Sequence, residues 1–175
     1  MMLFVLAYPE LAPAAAAAIA AFRRRHEPER AALVAAHVTL VFGVEAVPVD
    51  ALAEHAAAIV ATEPAFAFSL DATELYAGAE AAEAKLFLRA GRGDDRFRRL
   101  HARLHAGILA PHLRSDLPFA PHMTIATARP PATLDAALAE AGRLELPIQG
   151  EVRALTIAAL DGAVLHDVRA LPLAG

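Results

Sequence analysis

Two histidines each stand two residues ahead of a threonine in runs that are otherwise apolar: His37-Val-Thr39-Leu within AAHVTLVFG, and His122-Met-Thr124-Ile within FAPHMTIATA. Both runs read as buried strands, where a polar group costs stability unless it finds a partner. Alternate side chains of a strand share a face. His37 and Thr39 therefore point one way while Val38 and Leu40 point the other, and His122 and Thr124 are set against Met123 and Ile125 in the same manner. Two such strands brought together oppose two imidazoles and two hydroxyls across one cleft, a set that can grip a tetrahedral phosphate. The hydroxyls donate to non-bridging oxygens, and each imidazole can donate, accept or carry a moving proton. One neutral imidazole takes a proton from water or a hydroxyl; the other, protonated, gives one to a leaving alkoxide. An imidazole pKa near 6.5 makes both forms accessible near neutrality. The hydroxyls and the imidazolium stabilise the charge that builds on the transition state.

A single such motif reads as a hydrogen-bonded core histidine. With eight histidines in 175 residues, chance supplies roughly 0.1 His-apolar-Thr-apolar runs, so two of them read as halves of one site.

The surrounding elements must bring these strands together. Residues 3–8 read as a short strand ended by Pro9, and Pro13 opens an alanine-rich helix to about Glu27. Residues 33–44 read as the strand of the first motif. Asp50 caps or begins a helix that stops before Pro64. AFAFSLDATELYA and AEAKLFLRAG are strand-like, separated by a loop around Gly78. Phe97, Leu100, Leu104 and Ile108 fall at helical spacing, giving an amphipathic helix with arginines outward, which Gly107 and Pro111 weaken or end. After the second motif strand comes a helix with Thr133 as its cap, then two strands, IQGEVRALTIAAL and AVLHDVRALPL, joined at Asp161-Gly162. The second half of this order echoes the first. The expectation is an α+β, bilobal, pseudo-symmetric fold of two mainly antiparallel sheets with flanking helices and a central groove, residues 1–175 forming one domain of two similar lobes.

Composition narrows the function classes. The chain is 57% hydrophobic and 21% charged, which suits a packed globular protein. The alanine run lacks the bulk of a membrane span and adjoins Arg23, Arg24 and Arg25, and the N-terminus does not read as a signal peptide. No cysteine is present, which removes thiol nucleophiles and thiolate metal sites and suits a reducing cytoplasm. A formal net charge of −4 argues against holding a long nucleic-acid tract, though not against a nucleotide or an RNA end.

The pair HVTLVFG and HMTIA resembles the two signature motifs of the two-histidine (2H) phosphoesterases, which include the bacterial 2′-5′ RNA ligase-like cyclic phosphodiesterases; element order and motif spacing match over nearly the whole chain. The resemblance implies a groove between two lobes and metal-free hydrolysis of a 2′,3′-cyclic phosphate on a nucleoside or an RNA terminus, with 2′-5′ ligation as its reverse. It assigns catalysis to His37 and His122 and phosphate contacts to Thr39 and Thr124. The chain is expected to be a monomer with no cofactor, no bound metal and no membrane partner. Phe42 matches an aromatic of the first motif that could stack on a base, although a core position is the default for it. Some relatives carry a basic residue five places after the second histidine; Thr127 stands there, with Arg129 two further on as a candidate contact. Tyr8, ending the first strand, is a candidate for the cleft wall.

Other polar residues read as structural. His101 and His105 have a spacing that can bind metal, but no third ligand accompanies them, so packed or hydrogen-bonded helix residues are expected. Arg23–Arg25 read as a solvated helix end, and Arg96, Arg98, Arg99 and Arg103 as a polar helix face. Two competing functions share the motifs: a binding module that senses a phosphorylated nucleotide without turnover, and a metallohydrolase using both histidines and a carboxylate. The second is disfavoured because threonine is a poor ligand.

Overall fold

Pro13 occupies the first turn of α1 (Pro13–His26), where a missing N–H costs nothing. Only Ile19, Phe22 and Arg23 of this helix are buried, so a narrow stripe docks it. The computed structural model describes residues 1–77, 83–114, 116, 118–129 and 134–175. The expected loop at Gly78 and the expected cap Thr133 lie outside these residues.

Among the described residues, nine strands form one sheet. They are β1 (Met2–Ala7), β2 (Glu10–Leu11), β3 (Val38–Val44), β4 (Phe66–Ala77), β5 (Ala84–Ala90), β6 (His122–Ala128), β7 (Ile148–Val152), β8 (Ala154–Asp161) and β9 (Val164–Pro172). Their order is β2-β7-β4-β5-β6-β3-β1-β8-β9, and every pairing is antiparallel. The two expected sheets are therefore a single one. The motif strands β3 and β6 are its seam, joined through the Cα pair Val38↔Met123. Pairing there satisfies backbone groups that two separate sheets would leave as open edges. From the seam outward the strands run β3-β1-β8-β9 on one wing and β6-β5-β4-β7 on the other, with β2 added at the far edge.

Helices cover the apolar face. Val38, Leu40, Met123 and Ile125 are fully buried in one continuous core with Phe22 of α1, Leu52 and Ala56 of α3 (Val49–Val60), and Phe97, Leu100 and Leu104 of α4 (Asp94–Leu104). Burying such side chains stabilises by about 1.5–3 kcal/mol each. α1 packs on β6 and α4 on β3, so the helix of each wing braces the motif strand of the other. Among the described residues, no helix is long and apolar enough to cross a membrane.

Several local expectations change. The residues before the first motif are not strand: α2 (Pro28–Leu33) ends there, residues 34–37 are irregular, and β3 starts at Val38 with His37 just ahead of it. Asp50 begins α3 as expected, in its first turn, with Pro48 at the cap. Gly107, at φ +57°, diverts the chain after α4 into a short 3₁₀ turn (Gly107–His112), which leaves Ile108 exposed instead of extending the apolar stripe. IQGEVRALTIAAL is two strands, β7 and β8, broken at Arg153. In the last hairpin Asp161 pairs with Val164, so Gly162-Ala163 make the turn, with Gly162 supplying φ +60°. A further helix is α5 (Asp135–Ala141).

The arginines are also more structural than expected. Arg23 is buried, not solvated: its Nε donates to Glu27 at 2.5 Å and its Nη1 to the Val34 carbonyl at 2.9 Å. Arg96, Arg99 and Arg103 converge on the buried Glu63 carboxylate at 2.8, 2.8 and 3.0 Å. Burial of that carboxylate opposes ionisation, and the guanidiniums outweigh it, holding its pKa below the ordinary value.

Candidate active site

The seam is where the two motifs meet. With Val38 opposite Met123, one step of antiparallel register in each direction sets His37 across from Thr124 and Thr39 across from His122. Directly opposed side chains lie about 4.5–5.5 Å apart at Cβ, and diagonal ones about 7–8 Å between Cα atoms. The two imidazoles are thus diagonal neighbours around a compact quartet. All four side chains are half-buried, while the residues between them are fully buried on the other face.

Both rings are held alike. His37 Nδ1 bonds the Ala35 carbonyl at 2.7 Å, and His122 Nδ1 bonds the Ala120 carbonyl at 2.7 Å. A carbonyl only accepts, so Nδ1 carries a hydrogen in each ring and Nε2 is the nitrogen that gains or loses a proton. Burial lowers both pKa values below 6.5, and the backbone acceptors partly oppose this. His37 is further depressed by the charges of Arg23, His122 and Arg30. Around His122, Arg89 and Lys85 depress the pKa and Glu74 raises it.

The flanks of the quartet differ. His122 stacks on Phe87 with ring centroids 3.8 Å apart, and Phe87 in turn on Tyr76 at 5.7 Å. His37 meets Tyr8 edge-on at 6.1 Å, and Tyr8 donates to Asp167 Oδ1 at 3.1 Å. Burial and that neighbouring carboxylate push the Tyr8 phenol well above its usual range.

Beside His122 opens a groove of about 450 Å³, with Phe42, Tyr76, Phe87 and Phe119 among its aromatic walls and Lys85 and Arg89 among its cations. Phe42 is 46% exposed, so the core position expected for it does not hold. The cause is a bulge. β1 pairs Leu6 with Thr39 but Val5 with Val41, which inserts one residue into β3. Leu40 and Val41 are consequently both buried, and alternation resumes with Phe42 on the Thr39 face. β6 repeats the device: β5 pairs Phe87 with Thr124 but Leu86 with Ala126, and Ile125 and Ala126 are both buried.

His101 and His105 are hydrogen-bonded helix residues, as expected. Their Nδ1 atoms meet the Leu40 and His101 carbonyls at 2.8 and 2.9 Å, although both rings also line the groove. Arg129 is tied to Glu83 at 2.6 Å and lies outside the groove wall. Sequence reading passed over Lys85, Phe87 and Arg89. Their signal is the strict alternation of Lys-Leu-Phe-Leu-Arg, which presents three polar or aromatic side chains on one face and two leucines on the other.

A sequence profile described as the 2′-5′ RNA ligase superfamily matches residues 10–163, which span both motif strands. The chain belongs to that superfamily. Its fold is shared by solved structures at low identity. TT0787 of Thermus thermophilus is 20% identical, with a TM-score of 0.67 over 100% of this chain and 99% of that one. E. coli LigT complexed with 3′-AMP is 21% identical, with a TM-score of 0.62 over 98% and 97%. Usb1 of Kluyveromyces marxianus is 13% identical, with a TM-score of 0.61 over 98% of each chain. Among curated proteins, none matches this member of the superfamily by sequence.

Proposed function

We propose that this 2′-5′ RNA ligase superfamily protein hydrolyses a 2′,3′-cyclic phosphodiester on a nucleoside or an RNA end without a metal ion. The observation that carries the reading is the Val38↔Met123 register, which gathers His37, Thr39, His122 and Thr124 around one small volume. In this reading Thr39 and Thr124 donate to the non-bridging oxygens of the phosphate. One imidazole, neutral at Nε2, takes a proton from the attacking water. The other, protonated at Nε2, gives a proton to the departing ribose oxygen. The P–O bond to water forms as the P–O bond to that ribose oxygen breaks, leaving a phosphomonoester and a free hydroxyl. The same groups in exchanged roles serve the reverse joining of a cyclic end to a hydroxyl. The ribose and base extend into the groove past His122, where Phe42 offers a stacking face. The LigT structure with 3′-AMP supports a nucleotide as the ligand class.

The test is incubation with the four nucleoside 2′,3′-cyclic phosphates in EDTA, with products separated as 2′- and 3′-monophosphates. Turnover that survives the chelator and vanishes in both His37→Ala and His122→Ala is the expected result. Full activity in either variant rejects the mechanism, and tight binding without product identifies a non-catalytic binding module instead.

A further inference from the structure

We propose that Lys85 is the cation that meets the substrate phosphate, reaching into the site from β5 rather than from either motif strand. The inference rests on the phosphodiester reading above and adds to it the residue that supplies positive charge. The second motif strand offers none at the corresponding point: Thr127 faces the site side of β6 and donates its hydroxyl to Glu27 Oε2 at 3.1 Å. Lys85 is the ladder partner of Thr127, and Phe87, two residues on and on the same face, is the partner of Thr124. Opposed residues lie about 5 Å apart at Cβ, so the four-carbon stem of Lys85 starts beside Thr127, on the same face of β5 as Phe87, and extends along the groove toward His122. Lys85 and His122 line the same groove.

The other nearby cations are committed. Arg89 bonds Glu74 at 3.0 Å and the Ala120 carbonyl at 3.4 Å, the same carbonyl that holds His122. Arg23 is locked into its buried pair with Glu27. Arg114 pairs with Asp116 in an exposed segment. The partner of Lys85 is Glu83, at 3.2 Å, and Glu83 is oversubscribed. Arg129 holds one of its oxygens through Nε at 2.7 Å and Nη2 at 2.6 Å, and Arg30 approaches the other, which Lys85 also uses, at 3.5 Å. One carboxylate among three cations leaves Lys85 able to exchange Glu83 for a phosphate oxygen.

The experiment compares wild type, Lys85→Met, Lys85→Arg and the double variant Lys85→Met/Thr127→Arg. The readouts are hydrolysis of 2′,3′-cyclic AMP and the dissociation constant of inorganic phosphate followed by NMR titration of the histidine rings. Lys85→Met should lower kcat/KM by roughly 10- to 100-fold and weaken phosphate about tenfold, with Tm unchanged. Lys85→Arg should keep most activity. The double variant, which returns a cation from the opposite strand, should recover at least half of the loss on a logarithmic scale. Lys85→Met within twofold of wild type in both readouts overturns the proposal. The phosphate titration does not depend on turnover: an inactive wild type whose phosphate binding still needs Lys85 defeats the hydrolase reading and leaves the assignment of Lys85 standing.

Discussion

A proton that moves on either site histidine must move at Nε2, because Nδ1 is committed to the carbonyl two residues back. Two consequences can be measured. Truncation of His37 or His122 to Ala should lower kcat about 10³-fold or more, since each removes a proton-transfer group. Thr39→Val and Thr124→Val keep the shape but lose a donor, and should each cost about 10²-fold in kcat, read in the same cyclic-phosphate assay. Under the proposed hydrolysis, the depressed pKa values of both rings also set where the rate peaks. Its working state has one ring protonated and one neutral, and that state is most populated between the two pKa values. Both lie below 6.5 in the free enzyme, so the bell of kcat/KM against pH should reach its maximum on the acid side of about 6.5. A maximum above pH 7 would contradict the burial that depresses them. Type and spacing alone single out these four residues in the sequence, and the Val38↔Met123 register sets the two motifs side by side. Lys85, Phe87 and Arg89 were passed over because their alternation puts them on one face of a strand without saying what that face meets, and only the ladder sets them beside the second motif.

At the scale of elements, most strands and helices were legible from alternation, helical spacing and proline or glycine punctuation. The bulges were not. A strand with one inserted residue has the same composition as a regular one, and only the pairing Leu6↔Thr39 followed by Val5↔Val41 shows the phase change. Regular alternation would send Phe42 into the core with Leu40, and the bulge sends it to the groove instead. Phe42→Ala should therefore leave Tm nearly unchanged and raise KM for a cyclic nucleotide about tenfold with kcat preserved, the signature of a lost stacking face. Gly93 gives the contrasting case. It caps α4 at φ +81°, and an added Cβ would come within 2.8 Å of Phe68 Cβ and 2.9 Å of the Ala67 carbonyl. Gly93→Ala should destabilise by about 2 kcal/mol, measured by urea unfolding, because it combines left-handed backbone strain with overpacking.

The whole molecule carries several half-buried or buried imidazoles, and their joint behaviour is a property of folding rather than of catalysis. Burial holds His37, His101, His105 and His122 below 6.5. The unfolded chain therefore binds protons first on acidification, and stability should decline as pH falls through about 6.5 toward the folded values. Above about pH 7 these four groups contribute no slope. Thermal denaturation between pH 8 and pH 5 checks this. The single sheet itself was not legible, since nothing in the composition of β3 or β6 says that they pair with each other.

The two wings interleave the chain: β1 and β3 lie with β8 and β9, while β4, β5 and β6 lie with β2 and β7. The first of these wings takes β1 and β3 from the start of the chain and β8 and β9 from its end, so no terminal piece holds that half of the cleft complete. His37 and His122 become neighbours only when distant stretches have already condensed, a topology of high contact order that slows folding. Completion of the paired-histidine cleft is then a late report on global assembly, and a truncated or nascent chain bearing the first motif alone lacks its opposing half.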